Sequence, residues 1–537
     1  MSANAASGLF AAITFAIFAA RRLLTYLHIF QQEEYDGPRF LRWLWRERAF
    51  DRRVSLSLAI ILGVQLVQPL SRMPPSHWPL AILTGMGFFL AAVKEPDPRK
   101  SAKKPLAMTA RAKRVYGIAL ALSVVLGVGA AWLTDWVAIW LVPVQFVPVT
   151  LVIANLILAP FEARVQRRYW DEAQATLRRH DPIVIGVTGS YGKTSVKHIL
   201  GHVLETAAPT LITPGSVNTA MGIARIVREQ LRPHHRYLVV EMGAYGIGSI
   251  ARLCALTPPK LGVITAIGMA HYERFKTLDA VSHAKYELAE AARDNGGTAI
   301  VAAQTLEFAW PREFVERHRD RVIIVGSEPE HDLVVDNLRQ EPDGIVAEAQ
   351  WRGAHYTLRA PLYGLHQGRN VALAFAAACS LGLAPEDVVV SLRSTPQIAH
   401  RLEVKRQGDG AILIDDAYNS NPVGFASALG LLDVLRQPEG RRILVTPGMV
   451  ELGEAHQDEH ARIGRLAAEH VDVLLAVAPH RVEPLASAFA KAAPEREIVP
   501  CPTFAEARAW LDRNLGTRDV VLIENDLPDL YERRLRL

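Results

Sequence analysis

The sequence predicts an α/β protein preceded by N-terminal transmembrane helices, and three observations carry that expectation. Five apolar stretches crowd into the first 160 residues. From residue 183 the pattern changes to a short β-branched run, a glycine-rich turn and a helical periodicity, the alternation that builds parallel sheets. Further strand-like runs, Val239-Val240-Glu241 and Leu413-Ile414-Asp415-Asp416, end in carboxylates.

Bulk properties agree. A chain of 537 residues is too long for one compact domain and predicts two to four units. Half of it is hydrophobic although 21% is charged, as expected of spans joined to a soluble part. The net charge of +5 does not point to nucleic acid, because the basic residues gather beside the apolar stretches, where membrane topology uses them. Cys254, Cys379 and Cys501 are scattered and lack metal-ligand spacing, which argues against a disulfide framework and fits a reducing compartment. No basic segment precedes the first apolar run and no clear cleavage motif marks it, so it does not read as a removable signal peptide.

The membrane part covers 1–165. Residues 54–70, 78–93, 116–133 and 136–160 are strongly apolar, and a fifth, weaker run spans 5–20. A crossing helix needs roughly 17–25 such residues, so several stretches sit near the lower limit. Any one alone could be a buried soluble helix; five together point to a bilayer. Segments 21–53 and 94–114 carry eight Lys or Arg each, whereas 71–76 has Arg72 and Thr134-Asp135 has none. The positive-inside rule therefore puts both basic segments in the cytosol, the N-terminus outside, and residue 161 onward in the cytoplasm, with the chain a multi-pass protein of the inner membrane. Arg164, Arg167, Arg168, Arg178 and Arg179 make 166–181 a linker helix expected to lie on the membrane surface. Short loops and the lack of an evident ionisable cluster among the spans favour a tether over an export path.

The soluble part begins at 182. Ile183-Val184-Ile185-Gly186-Val187 reads as a buried parallel strand, and Val196, Ile199, Leu200 and Val203 mark the following helix. Between them lies Thr188-Gly189-Ser190-Tyr191-Gly192-Lys193-Thr194-Ser195. Glycines let backbone N–H groups curl around phosphate oxygens at a helix N-terminus, Lys193 would reach the β- and γ-phosphates of ATP, and the Thr194 hydroxyl would ligate Mg²⁺. Val187 occupies the first glycine position of the strict phosphate-loop pattern, so the motif alone says only that a nucleotide binds.

Further motifs follow in a fixed order. They are Val239-Val240-Glu241-Met242-Gly243-Ala244; Ala270-His271-Tyr272-Glu273-Arg274-Phe275; Ala284-Lys285-Tyr286-Glu287-Leu288; Leu362-Tyr363-Gly364-Leu365-His366-Gln367 with Asn370; Arg401-Leu402; Asp415-Asp416-Ala417-Tyr418-Asn419-Ser420-Asn421-Pro422; and Met449 with Glu451-Leu452-Gly453 and His460. Singly, each has a plain reading: a solvated carboxylate, a structural histidine, a helix-surface lysine, an Asx turn. In this order, over 182–537, they resemble the Mur ligases, and within them the branch that adds D-alanyl-D-alanine.

The resemblance implies a central ATP-binding domain over 182–398 and a Rossmann-like C-terminal ligase domain over 399–537. It implies that Thr188, Gly189, Ser190, Gly192, Lys193, Thr194 and Ser195 hold the ATP phosphates; that Thr194, Glu241, His271 and a carbamylated Lys285 hold two Mg²⁺ ions; that Gln367 and Asn370 read adenine; that Arg401 meets the phosphates; and that Asp416 binds ribose, with Tyr418 and Asn419 facing the cleft. Ser216, Asn218 and Thr219 fall in a loop loosely resembling the family's substrate loop. The implied reaction activates a carboxylate by phosphorylation from ATP and lets an amino acid or small peptide amine displace phosphate, with Lys193, Glu241, His271, Lys285 and Arg401 as the catalytic set.

The departures concern substrate recognition. Membrane helices stand where the branch has a soluble UDP-binding domain. Ala266 stands where Asn is frequent, Gln367 replaces Asn, Pro447-Gly448 replaces Gly-Asp, and Ile523-Glu524-Asn525-Asp526 replaces a Lys-Gly-Ser-Arg-like run. A shared reaction with a different acid, a different amine, or both is therefore expected, in peptidoglycan, another cell-envelope polymer or a secreted one. A polyglutamate-synthase-like polymerase, a membrane transport or sensor ATPase and a non-catalytic nucleotide-binding scaffold are the competing readings. The ATPase leaves the Asp415–Pro422 motif unexplained.

Overall fold

The computed structural model describes residues 3–67, 78–101, 105–133, 136–268, 275–408, 410–418, 420–450 and 452–526. Among these, one unit runs through residue 166 and a second covers 167–526.

The first unit is helical. Among the described residues, four helices are long and apolar enough to cross a membrane: Ala6–Gln32, Trp78–Lys100, Ala110–Leu133 and Val137–His180. The stretch expected over 54–70 forms Arg52–Val67, 16 residues. At 1.5 Å per residue that is about 24 Å, short of a hydrocarbon core of about 30 Å, and residues 68–77 lie outside the described set. Phe15, Phe18, Phe88 and Trp140 form the centre, with ring centroids 5.2–6.1 Å apart. Glycine at 127 is required there, since any side chain would strike Phe15. The outward faces are apolar too: Leu56, Ile60, Phe89, Leu90, Val125, Trp132 and Leu156 are all exposed.

An ionisable cluster joins the segments that flank the apolar stretches: buried Arg22 lies 2.9 Å from Asp51 and 3.3 Å from Glu95, and both carboxylates are themselves buried. Asp51 also caps the helix Arg52–Val67 by accepting from Val54 N–H, and Glu95 follows directly on Trp78–Lys94. Arg22 thus staples three helices, a long-range arrangement that no local sequence pattern reveals.

The second unit contains two sheets. The first comprises β1 (Ile183–Thr188), β2 (Thr210–Ile212), β3 (Tyr237–Glu241), β4 (Leu261–Ile264), β5 (Thr298–Ala302), β6 (Val322–Gly326), β7 (Leu333–Glu341), β8 (Gly344–Trp351) and β9 (Ala354–Ala360). Their order is β2-β3-β1-β4-β5-β6-β7-β8-β9, parallel as far as β7 and antiparallel after it. Helices Lys193–Glu205 and Leu365–Ser380 cover one face, while Ala220–Gln230, Ser249–Leu256 and Leu278–Asp294 cover the other. Burial on both faces explains why these strands read as continuous apolar runs. The chain leaves β1 toward β2 and β3 on one side and returns to β4 on the other. The end of β1 is therefore a topological switch point, where open α/β sheets leave a crevice for ligands.

The second sheet comprises β10 (Glu403–Arg406), β11 (Ile412–Asp416), β12 (Arg442–Thr446), β13 (Val473–Val477), β14 (Glu497–Cys501) and β15 (Val520–Glu524), in the order β10-β11-β15-β12-β13-β14. Only β10 runs antiparallel to its neighbour. Pro422–Val434, His456–His470 and Glu483–Ala492 pack on one face and Phe504–Asn514 on the other, a Rossmann-like sandwich.

Residues 166–181 are not a separate element but the end of the helix Leu141–His180. Ala173 and Leu177, four apart, bury into the core of the first sheet's unit with Trp170 against them, and Glu172 pairs with Arg228 at 2.7 Å. Arg167, Arg168, Arg178 and Arg179 stay exposed.

Replacing Arg22 with Leu leaves two buried carboxylates without their cation, a change that typically costs about 3–5 kcal/mol. Thermal unfolding of the detergent-solubilised chain should show a lowered midpoint for this variant. Arg22→Lys should lose less, keeping the charge but not the two-pronged geometry.

Candidate nucleotide site

The turn that leaves β1 is shaped by two glycines. Gly192 has φ +81° and caps the helix Lys193–Glu205; a Cβ there would come 2.5 Å from Asn370 Oδ1. At Gly189 a side chain would collide with Thr265. The turn is tied to the strand beside it, Ser190 N–H donating to Ala266 C=O at 2.6 Å and Thr265 N–H to Thr188 C=O at 2.9 Å. The turn and the N-terminus of the helix Lys193–Glu205 line a cavity of about 410 Å³.

Most of the predicted residues meet there. Ser190, Gly192, Lys193, Thr194 and Ser195 come from the turn, Ser216 and Asn218 from the loop after β2, and Glu241 from the end of β3. Gln367 and Asn370 come from the start of Leu365–Ser380, and Arg401, Asp416 and Tyr418 from the region of the second sheet. Thr188 lies beneath the cavity, its hydroxyl donating to Met242 C=O at 2.9 Å. Thr219 stands at the N-cap position of Ala220–Gln230 and does not line the cavity. His271 and Asn419 lie outside the described residues.

Glu241 is 1% exposed and is the hub of the site. Its Oε2 accepts from Thr194 Oγ1 at 3.0 Å and lies 3.1 Å from Lys197 Nζ; its Oε1 faces Asn218 Nδ2 at 3.4 Å. Two oxygen ligands at right angles around Mg²⁺, each at about 2.1 Å, lie about 3.0 Å apart, so the Thr194–Glu241 spacing fits a shared divalent cation. Lys193 donates to Gly189 C=O at 2.7 Å and Ser190 C=O at 3.2 Å, which holds its ammonium against the turn.

The Ala284–Leu288 motif divides into two tasks. Lys285 is buried; burial, and then the nearby charge of Lys193, hold its ammonium well below the usual lysine range. That favours the neutral amine, the form that can add carbon dioxide to give a carbamate with oxygen donors. Glu287 instead caps the helix Ser249–Leu256, accepting from Gly248 N–H at 2.5 Å and Ala251 N–H at 2.9 Å.

Where the helix Leu365–Ser380 meets the cavity, Asn370 Nδ2 donates to Gln367 Oε1 at 2.9 Å, so Gln367 is locked to its neighbour. Arg401 stacks over Tyr418, guanidinium to ring centre 4.3 Å. Asp416 and Glu524 are register partners on β11 and β15, and Ser420 Oγ donates to Glu524 Oε1 at 2.5 Å. Burial, and then the facing Asp416, push Glu524 well above the usual carboxylate range, and burial raises Asp416 to about 6. An acid pair thus stands where the resemblance placed a basic run. Asn525 Nδ2 donates to Gly448 C=O at 2.7 Å, and His460 Nε2 accepts from Met449 N–H at 3.0 Å; together they fix the loop that carries Val450 and Leu452 to the cavity.

Sequence reasoning missed Lys197, Tyr245, His366 and Arg369, all at the site. Lys197 lies one helical turn after Lys193, on the same face, but that spacing is common on any helix. His400, Glu403 and Asp415 also cluster, but Lys405 sits 2.9 Å from Glu403 and 3.0 Å from Asp415 and balances them.

Comparison with known proteins places this geometry. Residues 187–378 match the Mur ligase middle domain, and residues 400–524 the Mur ligase, glutamate ligase domain. The chain is 34% identical over 292 residues to the UDP-N-acetylmuramoyl-tripeptide–D-alanyl-D-alanine ligase of Mycobacterium tuberculosis (strain ATCC 25618 / H37Rv), covering 53% of this chain and 56% of that protein. It thus spans little more than half the length of that relative. The Escherichia coli (strain K12) protein of the same name is 29% identical over 313 residues, 58% of this chain and 68% of that one. The crystal structure of MurF from Acinetobacter baumannii superposes with a TM-score of 0.57 at 27% identity, covering 67% of this chain and 77% of that one.

His460 is buried, and its ring is pushed down to about 4 by burial, so it is neutral in the folded chain. The unfolded chain binds a proton at its usual value near 6.5, so stability is full above that pH and declines as pH falls toward about 4. His198 and His366, also held at about 4 chiefly by burial, add to the same slope. His460→Gln should flatten the fall in melting temperature between pH 7.5 and 5 without abolishing it, as scanning fluorimetry would show.

Proposed function

Because residues 187–378 and 400–524 belong to the Mur ligase family, we propose that this chain is an ATP-dependent ligase joining an amine to a carboxylate, akin to the D-alanyl-D-alanine-adding branch. It would act in peptidoglycan or related cell-envelope synthesis. The observation that carries the reading is the convergence on one cavity of the β1 turn, the Thr194–Glu241 oxygen pair, and Arg401 and Asp416 from the second sheet.

In this reading the turn amides and Lys193 hold the ATP phosphates, and Arg401 neutralises charge as the γ-phosphoryl group moves to the acid. Thr194 and Glu241, with Lys285 as a carbamate, would hold Mg²⁺, which supplies Lewis-acid charge at the transferring phosphoryl group. Carboxylate is a poor electrophile; its acyl phosphate has a competent leaving group, and the amine attacks that carbonyl with release of phosphate. The domains over 182–398 and 399–537 would close around the nucleotide to exclude water. The helices over 1–165 would hold the enzyme at the membrane, with the catalytic unit cytoplasmic. The Asp416–Glu524 pair supports an amine recognised differently from D-alanyl-D-alanine, since a carboxyl pair does not attract a peptide carboxylate.

The full-length chain in detergent should release ADP when given the correct pair drawn from amino acids, dipeptides and UDP-muramyl peptides. Lys193→Ala should lower that rate by roughly a hundredfold or more. Turnover retained in the variant, or ATP hydrolysis indifferent to every acid and amine, would remove the assignment.

A further inference from the structure

Lys197 stands where a divalent cation would be repelled. It is fully buried, its ammonium lies 3.1 Å from the same Glu241 oxygen that accepts from Thr194, and it also donates to Gly215 C=O. It therefore grips one edge of the oxygen pair whose 3.0 Å spacing suits Mg²⁺ and, through Gly215, the loop that carries Ser216 and Asn218.

The surroundings reinforce that charge. Lys193, Arg369 and Arg401 line the cavity, and Arg401 is close enough to press on both Lys193 and Lys197. Among the described residues at the site, four cations thus face the carboxyls of Glu241 and Asp416. A free divalent cation entering this field meets net positive charge, whereas a nucleotide polyphosphate inverts its sign.

We infer that Lys197 is a built-in counter-cation for Glu241, which keeps a divalent metal from the Thr194–Glu241 oxygens until a polyphosphate accompanies it. Lys197 is a positioning residue here, acting through Glu241 without touching the reacting atoms. The inference rests on the ligase reading and adds an order to it: metal and nucleotide arrive together. Because Lys197 also holds the Gly215 carbonyl, it couples the loop bearing Ser216 and Asn218 to Glu241.

Electron paramagnetic resonance of Mn²⁺, standing in for Mg²⁺, reads this directly on the full-length chain in detergent. Wild type should bind Mn²⁺ about tenfold more weakly, or worse, without a non-hydrolysable ATP analogue than with it. Lys197→Met should tighten the binding of Mn²⁺ alone by about tenfold, a gain that adding Glu241→Gln abolishes, while Lys197→Arg behaves as wild type. Equal affinity for Mn²⁺ alone in wild type and Lys197→Met overturns the inference. If Lys197→Met does not fold, the wild-type comparison decides it: binding indifferent to nucleotide overturns it. A wild type that binds no nucleotide under any condition overturns the ligase reading, and the inference with it, which separates that failure from the failure of Lys197 alone.

Discussion

A carboxylate taken out of water is costly unless other groups replace its hydration, and Glu241, at the end of a fully buried strand, is the charge around which the switch point of the first sheet is arranged. The Thr194 hydroxyl and the Lys197 ammonium, both on the helix Lys193–Glu205, and the Asn218 amide of the loop after β2 supply that replacement, and Thr213 Oγ1 accepts from the Glu241 backbone at 3.0 Å. Meeting these partners fixes the pitch of the helix Lys193–Glu205 against β3 and draws in the loop after β2. The glycine turn follows from the same constraint, since only a backbone free of Cβ at 189 and 192 passes between Thr265 and Asn370 to start that helix in place. The backbone of the β1 turn is thus set by the demands of a buried charge on the neighbouring strand.

The second sheet meets this cavity with a different electrostatic character. Arg401 on Tyr418 offers a cation held by an aromatic face, whereas Asp416 and Glu524 form an acid pair whose burial favours a shared proton over two charges. Nucleotide handling and amine handling would draw on these two patches separately.

Much of this was legible in the sequence where chemistry is local. The strand–turn–helix at 183–205, the carboxylate ending β3 and the residues Asp416, Tyr418 and Pro422 are each read from a short local pattern, and the fold brings residues of all three to one cavity. What escaped was long-range. Lys197 is an unremarkable helix lysine until β3 brings Glu241 against it. The Arg22–Asp51–Glu95 staple joins residues more than seventy positions apart, and the basic count of its segment suggested topology alone. In the segment 166–181 the arginines dominate the composition, while the four-residue spacing of Ala173 and Leu177, which buries one face of it on the α/β unit, is a weaker signal.

In the proposed reaction Thr194 and Glu241 would hold the metal of a nucleotide whose phosphates lie on the β1 turn. An experimental structure of the chain with Mg²⁺ and a non-hydrolysable ATP analogue tests it most directly. The account requires density for the triphosphate against the amides of Gly192 to Thr194, with the metal bonded to both Thr194 Oγ1 and a Glu241 oxygen. A nucleotide bound elsewhere, or a metal that bypasses Glu241 while Lys197 keeps its carboxylate, would contradict it.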